Sequence, residues 1–158
     1  MGSRGDMVAR IMSRDPDISV RIFSAPEFLR PVRVMMDALA SHCGFDDQSC
    51  GLISLSMDEA LANVMRHGYK GRRDGHIWIS AWAHENPDAL EIVIEDLGVS
   101  VDPNAIRGRD LDDVRPGGLG VHFIRHTMDE CSWEQRPGGG MRLRMLKLVP
   151  AAAPEPPR

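Results

Sequence analysis

The stretch "SMDEALANVMRHGY" (residues 56–69) carries both an apolar helical pattern and a row of polar side chains. Its apolar residues recur at helical spacing, which predicts an amphipathic helix. Glu59, Asn63 and His67 recur every four residues, and this spacing stacks side chains on one helical face. Glu59 and Asn63 offer the hard oxygen ligands that Mg²⁺ prefers, and Glu59 is also suited to orient or deprotonate a nucleophile. A polar face in water has the same pattern, so both interpretations stand for this helix alone.

Three segments have the apolar spacing of a helix, and together they predict a helical layer. They are residues 24–44, 45–68 and 119–133. Ser24 is expected to cap the first helix, and Asp46 or Asp47 the second, because short polar side chains accept from free N–H groups there. Pro31 is compatible with the first helix only if the regular helix begins close to it.

Four segments alternate apolar and polar residues, as strands with one buried face do. They are residues 17–26, 76–85, 89–96 and 141–149. The turn residues "NPD" (86–88) join the second and third segments, which predicts an antiparallel hairpin. The order of elements predicts the α+β class, as a two-layer sandwich with a mostly antiparallel, mixed sheet and three helices on one face.

The sequence predicts one folded domain with a short flexible segment at each end. Residues 1–16 are polar and without pattern, residues 17–149 hold all the predicted elements, and residues 150–158 are rich in proline and alanine. Inside the domain, residues 97–120 form a long polar loop that resembles a lid. A compact domain seldom contains such a loop unless it has a function or a short helix of its own.

Composition excludes several classes of protein. The chain has 158 residues, 42% of them hydrophobic and 27% charged, which is typical of one soluble domain. A net charge of −4 argues against a direct nucleic-acid partner. No apolar stretch reaches the length of a membrane span, and no secretory signal is present. Three cysteines without a CxxC pair fit a reducing compartment, so a cytoplasmic protein without a membrane partner is expected.

The motif "IEDLGVSVDP" (residues 94–103) places a carboxylate at the end of an apolar strand. Asp96 at such a position is suited to accept a hydrogen bond from an adenine amino group. Gly98, two residues later, lets the backbone approach a flat base closely. The same residues are typical of an ordinary turn, and that alternative stays open for this motif alone.

The motif "RPGGLGVHFIRH" (residues 115–126) is a glycine-rich loop that runs into a helix. Free backbone N–H groups at such a junction form an anion site for phosphates. A flexible hinge followed by a helix cap has the same pattern. The P-loop signature is absent, since neither GKS nor GKT follows.

The three motifs occur together in one order, and that combination resembles the GHKL ATPase superfamily. Within it, the sequence is most similar to the bacterial anti-sigma-factor serine/threonine kinases. The pattern "EA-x-x-N-x-x-x-HGY", the "DP" after the first glycine box and "GGLG-x-x-x-I-x-x-x-MDE" carry this resemblance. It covers about residues 17–149 and implies the Bergerat-type ATP-binding fold.

The resemblance implies a role for each matching residue. Glu59 would be the general base toward the attacking hydroxyl, and Asn63 would coordinate Mg²⁺. Asp96 would bind the adenine amino group of ATP, with Gly98 close to the base. The residues that would wrap the phosphates are Gly117, Gly118, Leu119 and Gly120. Three arginines of the lid are candidates for a contact with the γ-phosphate: Arg107, Arg109 and Arg115.

The resemblance also implies two protein partners. The kinase would phosphorylate an anti-sigma-factor antagonist, and it would hold a sigma factor inactive. Homodimerisation is expected by analogy with the family. An ATP-binding module that sequesters a partner without phosphoryl transfer is the main alternative. The catalytic domain of a sensor histidine kinase is less favoured, because few residues precede position 17 for a phosphoacceptor helix pair.

Overall fold

The computed structural model describes residues 14–86, 88–106 and 119–150, which form a five-stranded sheet covered by helices. The strands are β1 (Ile18–Phe23), β2 (His76–His84), β3 (Ala89–Asp96), β4 (Glu130–Gln135) and β5 (Met141–Leu148). The α-helices are α1 (Leu29–His42), α2 (Asp47–Asn63) and α3 (Leu119–Thr127). Short 3₁₀ helices occupy Pro26–Phe28 and Pro103–Ala105, and a π-helical turn, Val64–Gly68, continues α2. The predicted α+β class with three helices is confirmed.

The strands of the sheet lie in the order β1-β2-β3-β5-β4. All four pairings among the described strands are antiparallel, so no parallel pair accompanies the predicted antiparallel ones there. The predicted hairpin is present as β2 and β3, with Ile79 opposite Ile94. The strand β5 pairs with β4, its neighbour in sequence, on one side and with β3 on the other. The end of β3 therefore lies beside the turn that precedes β5.

The core lies between the sheet and the helices. Alternate residues of β2 are buried, as the period of a strand with one covered face requires, whereas the central strand β3 is buried at nearly every position. Ile79 and Ile92 on the sheet, and Met57 and Leu61 on α2, have at most 1% of their surface exposed. The apolar side of the stretch that carries Glu59 is therefore the side that packs against the sheet.

The two predicted helix caps have different outcomes. Asp46 caps α2, because its side chain accepts a hydrogen bond of 2.7 Å from the backbone N–H of Ser49. The prediction for Ser24 is wrong, since a 3₁₀ turn precedes α1 and no side chain caps it. The Ser24 hydroxyl instead donates to the carbonyl of Arg72 and accepts from the N–H of Gly75. It fastens the loop after α2 to the end of β1.

The predicted third helix is too long, and a strand was missed. The helix ends at Thr127, and β4 follows as an edge strand paired with β5. Partly buried Cys131 and Trp133 pack against the core from alternate positions of β4, which is the period of a strand. The turn from β4 to β5 needs a run of glycines: Gly138, Gly139 and Gly140 all have positive φ.

The described residues test some of the other sequence-based expectations but not all of them. Within the described residues, no helix is long and apolar enough to cross a membrane. The three cysteines are free thiols, with Cys50 buried and the other two partly buried. Residues 1–13 and 151–158 of the predicted terminal segments and the greater part of the lid, including Arg107, Arg109 and Arg115, lie outside the described residues.

Candidate functional site

The polar row of α2 and its π-helical turn consists of Glu59, Asn63 and His67, and the first two have no side-chain hydrogen bonds to the described residues. Glu59 and Asn63 are half-buried, and no described residue hydrogen-bonds to either side chain. His67 lies in the π-helical turn and is exposed. A half-buried carboxylate and a half-buried amide that bind no described side chain or backbone group are available to a ligand.

The first residues of α3 lie directly against Glu59. A Cβ added to Gly120 would be 2.5 Å from Glu59 Oε2, which real side chains do not tolerate. Glycine therefore lets the start of α3 lie against this carboxylate without displacing the end of the Glu59 side chain. Leu119 is 55% exposed at the first position of the helix. The predicted phosphate-wrapping residues Gly117 and Gly118 lie outside the described residues.

Asp96 ends β3 as a buried carboxylate with 3% of its surface exposed. Its Oδ1 accepts hydrogen bonds from the N–H of Gly98 at 2.8 Å and of Met141 at 3.4 Å. Burial raises the pKa of Asp96, and these two hydrogen bonds partly oppose that rise. No described residue hydrogen-bonds to Oδ2. The second oxygen is thus free to accept from a ligand.

Gly98 brings the loop after β3 against the end of the helix. A Cβ at this position would be 2.5 Å from the carbonyl carbon and oxygen of Gly68. The N–H of Val99 donates to that same carbonyl at 2.9 Å. Gly68 in turn lies beside Asp96, because a Cβ on it would be 3.6 Å from Oδ1. The glycine expected near a base therefore packs on the helix end that carries Glu59 and Asn63.

Tyr69 organises this end of the site, and no role was predicted for it from the sequence. Its hydroxyl accepts from the N–H of Leu97 at 2.8 Å and donates to the carbonyl of His76. Gly75 packs on the face of its ring, where a side chain would clash. Burial raises the pKa of the Tyr69 phenol. The "HGY" of the motif was the signal, since a tyrosine after a helix-ending glycine is placed to tie the next loop.

A second set of residues that was not predicted from the sequence holds the backbone of Asp96. Arg136 donates to the Asp96 carbonyl at 2.8 Å and to Glu95 Oε1 at 3.1 Å, and its guanidinium lies over the ring of Trp78. Gly140 packs so closely on the same carbonyl that no Cβ would fit. The "PGGG" turn was visible in the sequence, but its contact with Asp96 depends on the pairing of β3 with β5.

These contacts assemble a two-ended site along one helix. Asp96 and Gly98 lie at the Gly68 end, and Gly120 lies at the Glu59 end, about 13 Å away at 1.5 Å per residue. One end offers a buried acceptor beside close-packed backbone. The other offers an unpartnered carboxylate and amide at the start of α3. A ligand with a flat hydrogen-bond donor at one end and an anion at the other fits this arrangement.

The donor set at the Glu59 end is too small to hold a metal ion alone. Within the described residues, no group of three or more His, Cys, Asp or Glu side chains converges. Mg²⁺ is commonly bound by one or two protein oxygens, with phosphates and water completing its coordination. Glu59 and Asn63 fit that ion better than a metal that needs a full protein cage.

The fold and the site define a recognisable class of domain. The sequence profile of the histidine kinase-like ATPase domain matches residues 22–147. The chain therefore belongs to the histidine kinase-like ATPase family, and the resemblance to the GHKL superfamily is confirmed. ATP binding is the property from which that family takes its description.

Relatives in this family include named protein kinases. The chain is 29% identical over 121 residues to the serine-protein kinase RsbW of Listeria monocytogenes, an alignment that covers 72% of this chain and 76% of the relative. It is 27% identical over 142 residues to the serine-protein kinase RsbW of Bacillus pumilus, with 84% and 85% covered. The likeness to bacterial serine kinases named RsbW is thus present across two genera.

Solved structures agree on the fold. A Mycobacterium tuberculosis protein containing RsbU and RsbW domains matches with a TM-score of 0.59 and 17% identity, covering 88% of this chain and 35% of that one. The histidine kinase domain of an Erythrobacter litoralis blue-light activated histidine kinase matches with a TM-score of 0.51 and 16% identity, covering 78% and 60%. The chain spans less than two thirds of either solved chain, and these likenesses concern the fold alone.

Proposed function

We propose that the protein is an anti-sigma factor with serine/threonine protein kinase activity that uses ATP as the phosphoryl donor. The observation that carries the proposal is the two-ended site, in which Gly98 and Gly120 bring Asp96 and Glu59 to opposite ends of one helix. The family match supports ATP, and the names of the relatives support a serine kinase.

In this proposal, Asp96 selects adenine. Its free Oδ2 accepts from the exocyclic amino group, while Gly98 and Met141 hold Oδ1 through their N–H groups. Gly98, packed on Gly68, keeps the wall of the base site flat. A guanine base presents a carbonyl at the corresponding position, and two acceptors facing each other would repel. The site therefore discriminates ATP from GTP.

At the other end, Glu59 accepts the proton of the attacking hydroxyl. The oxygen of a serine or threonine side chain on the substrate protein attacks the γ-phosphorus. The bond between the γ-phosphorus and the bridging oxygen breaks, and that oxygen leaves with ADP. Asn63 is the proposed ligand of Mg²⁺, which supplies charge neutralisation on the phosphates when bound. Gly117, Gly118, Leu119 and Gly120 are proposed to give backbone N–H groups to the phosphates.

The protein substrate in this proposal is an anti-sigma-factor antagonist, and the second partner is a sigma factor. Phosphorylation of the antagonist would free the kinase to hold the sigma factor inactive. This partner switching would take place in the cytoplasm, with the protein as a homodimer. The resemblance to the anti-sigma-factor kinases is what supports these partners, and the kinase names of the relatives agree with it.

Calorimetry with and without Mg²⁺, on the wild type and on Asn63→Ala, tests the nucleotide site. Binding of ATP that needs both Mg²⁺ and Asn63 is the expected result, and unchanged Mg²⁺ dependence in the variant would remove Asn63 as the ligand. Glu59→Ala then separates a kinase from a binding module. The variant should bind ATP but lose transfer of ³²P to a purified antagonist by about 10²–10⁴-fold. A wild type that binds ATP without transfer would favour the binding module.

A further inference from the structure

A groove of about 410 Å³ opens between α1 and α2 and is not part of the site described above. Its walls include Arg33, Val34 and Asp37 from α1 and Ser54, Leu55 and Asp58 from α2. The volume is in the range of ordinary ligand sites and accommodates one long side chain with part of its neighbour.

The groove has an exposed apolar wall on each helix. Val34 is 62% exposed and Leu55 is 44% exposed, although both are large apolar residues. Leu52, on the same helix as Leu55, is 39% exposed. Adjacent apolar side chains that face solvent across a groove favour an interaction surface, whereas single ones need no explanation.

The groove also contains polar atoms that lack hydrogen-bond partners. Ser54 is only 4% exposed, and its Oγ has no partner among the described residues. Asp58 uses Oδ2 for an ion pair of 2.6 Å with Arg33, but its buried Oδ1 has no partner there either. A buried acceptor without a donor costs free energy, so a ligand that brings donors into the groove is favoured.

The charged residues of the groove determine which sign of charge a ligand should carry. Its walls carry two carboxylates, Asp37 and Asp58, and one guanidinium, Arg33. Arg33 is engaged by Asp58, while Asp37 makes no ion pair with any described residue. The uncompensated charge is therefore negative, and both unpartnered side chains of α2 accept hydrogen bonds. A positively charged donor complements the groove.

We propose that this groove docks a segment of a partner protein in which a lysine or arginine lies beside an aliphatic residue. The charged end is attracted by the exposed carboxylate of Asp37 and by Asp58, and a small shift of the groove's side chains would let it donate to the buried oxygens of Asp58 and Ser54. The aliphatic stem and the neighbouring residue cover Val34 and Leu55, as long basic side chains do on apolar surface.

The groove lies beside the proposed general base Glu59, and we therefore assign the docked segment to the substrate protein. Leu55 and Glu59 are four residues apart on α2, so they lie on one helical face about one turn, or 5.4 Å, apart. A protein docked over Leu55 is next to the proposed general base. The docking surface does not depend on the proposed kinase activity, whereas its assignment to the substrate protein does.

The test titrates three tripeptides into the full chain labelled with ¹⁵N and follows the backbone amides by NMR. The probes are acetyl-Leu-Arg-Leu-amide, its citrulline analogue and its glutamate analogue. The arginine peptide should shift the amides of Ser54, Leu55 and Asp58 saturably. Citrulline keeps the shape but loses the charge, and should bind at least about tenfold more weakly, because a charge-assisted hydrogen bond is lost.

Three variants locate the binding on the groove. Asp37→Asn removes an exposed charge without breaking an ion pair in the described residues, and should weaken the arginine peptide severalfold. Val34→Ser should weaken the arginine and citrulline peptides alike, because it removes apolar contact. Asp47→Asn is the matched control, since it removes an exposed carboxylate of α2 outside the groove, and should leave binding unchanged.

The outcomes separate this inference from the proposed function. Equal shifts with the glutamate peptide, no localised shifts, or equal effects of Asp37→Asn and Asp47→Asn would overturn the docking surface. Shifts of the same amides on raising the protein concentration without peptide would replace the partner with a second copy of the chain. Calorimetry with Mg²⁺-ATP on the same samples tests the nucleotide site. Peptide binding without ATP binding would overturn the proposed function and leave the groove standing.

Discussion

At the scale of single residues, glycine determines which backbone segments meet in the site. Gly98 allows the loop after β3 to touch Gly68, and Gly120 allows α3 to touch Glu59. Neither position has a positive φ, so the reason for glycine is space rather than conformation. Glycine at these two positions of the motifs therefore indicates two close contacts between segments far apart in the sequence.

Gly98→Ala is expected to destabilise the fold by about 1–3 kcal/mol, because the added Cβ would lie 2.5 Å from the Gly68 backbone. Urea unfolding followed by circular dichroism measures the change. Gly51→Ala is the matched control: no atom lies within 4 Å of the added Cβ, and the residue is inside α2. That variant should gain about 0.5–1 kcal/mol from helix propensity. A loss at Gly51 equal to that at Gly98 would show that space is not the cause.

Asp96→Asn is expected to raise the melting temperature at neutral pH while it weakens discrimination of ATP from GTP. Burial raises the pKa of Asp96 in the folded state. Its contribution to stability is therefore fully present below the unfolded pKa of about 3.9 and is lost as pH rises through the folded-state pKa. The variant removes that pH dependence.

Calorimetric melting scans at neutral pH and near pH 3 (below the pKa of about 3.9 in the unfolded chain) test this expectation. The difference in melting temperature should shrink at the acid end, where the wild-type carboxyl is protonated. A variant less stable than the wild type at neutral pH would mean that the hydrogen bonds from Gly98 and Met141 outweigh burial of the charge.

At the scale of elements, the β4–β5 turn acts on the site through one arginine. Arg136 links the Asp96 carbonyl, the Glu95 carboxylate and the Trp78 ring, which belong to β3 and β2. The end of β3 is thereby held in place by a turn that lies about forty residues later in the sequence. Asp96 can present Oδ2 reproducibly only while its backbone stays in place.

Arg136→Ala is expected to weaken ATP binding by about tenfold and to destabilise the fold by about 1–3 kcal/mol, since buried acceptors lose a charged donor. Isothermal calorimetry and urea unfolding measure the two effects. Arg142→Ala is the control, because Arg142 lies on neighbouring β5 and its side chain hydrogen-bonds to no described residue. Loss of stability in Arg136→Ala with unaltered ATP affinity would show that the turn supports the fold but not the site.

The elements also show what the sequence can predict. The helix predicted over residues 45–68, the β2–β3 hairpin and the polar row of Glu59 and Asn63 follow from local periodicity, and all are present, although the last five residues of that helix form a π-helical turn. The strand β4 was missed because the apolar pattern of α3 continues into it without a proline or glycine. The contact of Arg136 with Asp96 depends on strand register, which no local pattern contains.

At the scale of the whole molecule, the helical layer has two surfaces with different uses in the functions proposed here. One face of α2 packs on the sheet through Met57 and Leu61, and its polar row faces the candidate nucleotide site. The adjoining groove with α1 carries exposed Val34 and Leu55. Because α2 carries both Leu55 of the groove and Glu59 of the candidate site, a protein held in the groove and a nucleotide held beside Glu59 would have a fixed relative position, which phosphoryl transfer requires.

Nucleotide binding should stabilise the whole domain, because a ligand that binds only the folded state shifts the unfolding equilibrium. At a concentration 100 times the dissociation constant, Mg²⁺-ATP is expected to add about 2.7 kcal/mol, which raises the melting temperature of a domain of this size by about 5–10 °C. Asn63→Ala should lose the part of this rise that depends on Mg²⁺. Asp37→Asn, outside the nucleotide site, should keep all of it. A thermal shift with Mg²⁺-ATP that is the same in the wild type and in Asn63→Ala would remove Asn63 as the Mg²⁺ ligand, and with it the charge neutralisation that the proposed mechanism assigns to this residue.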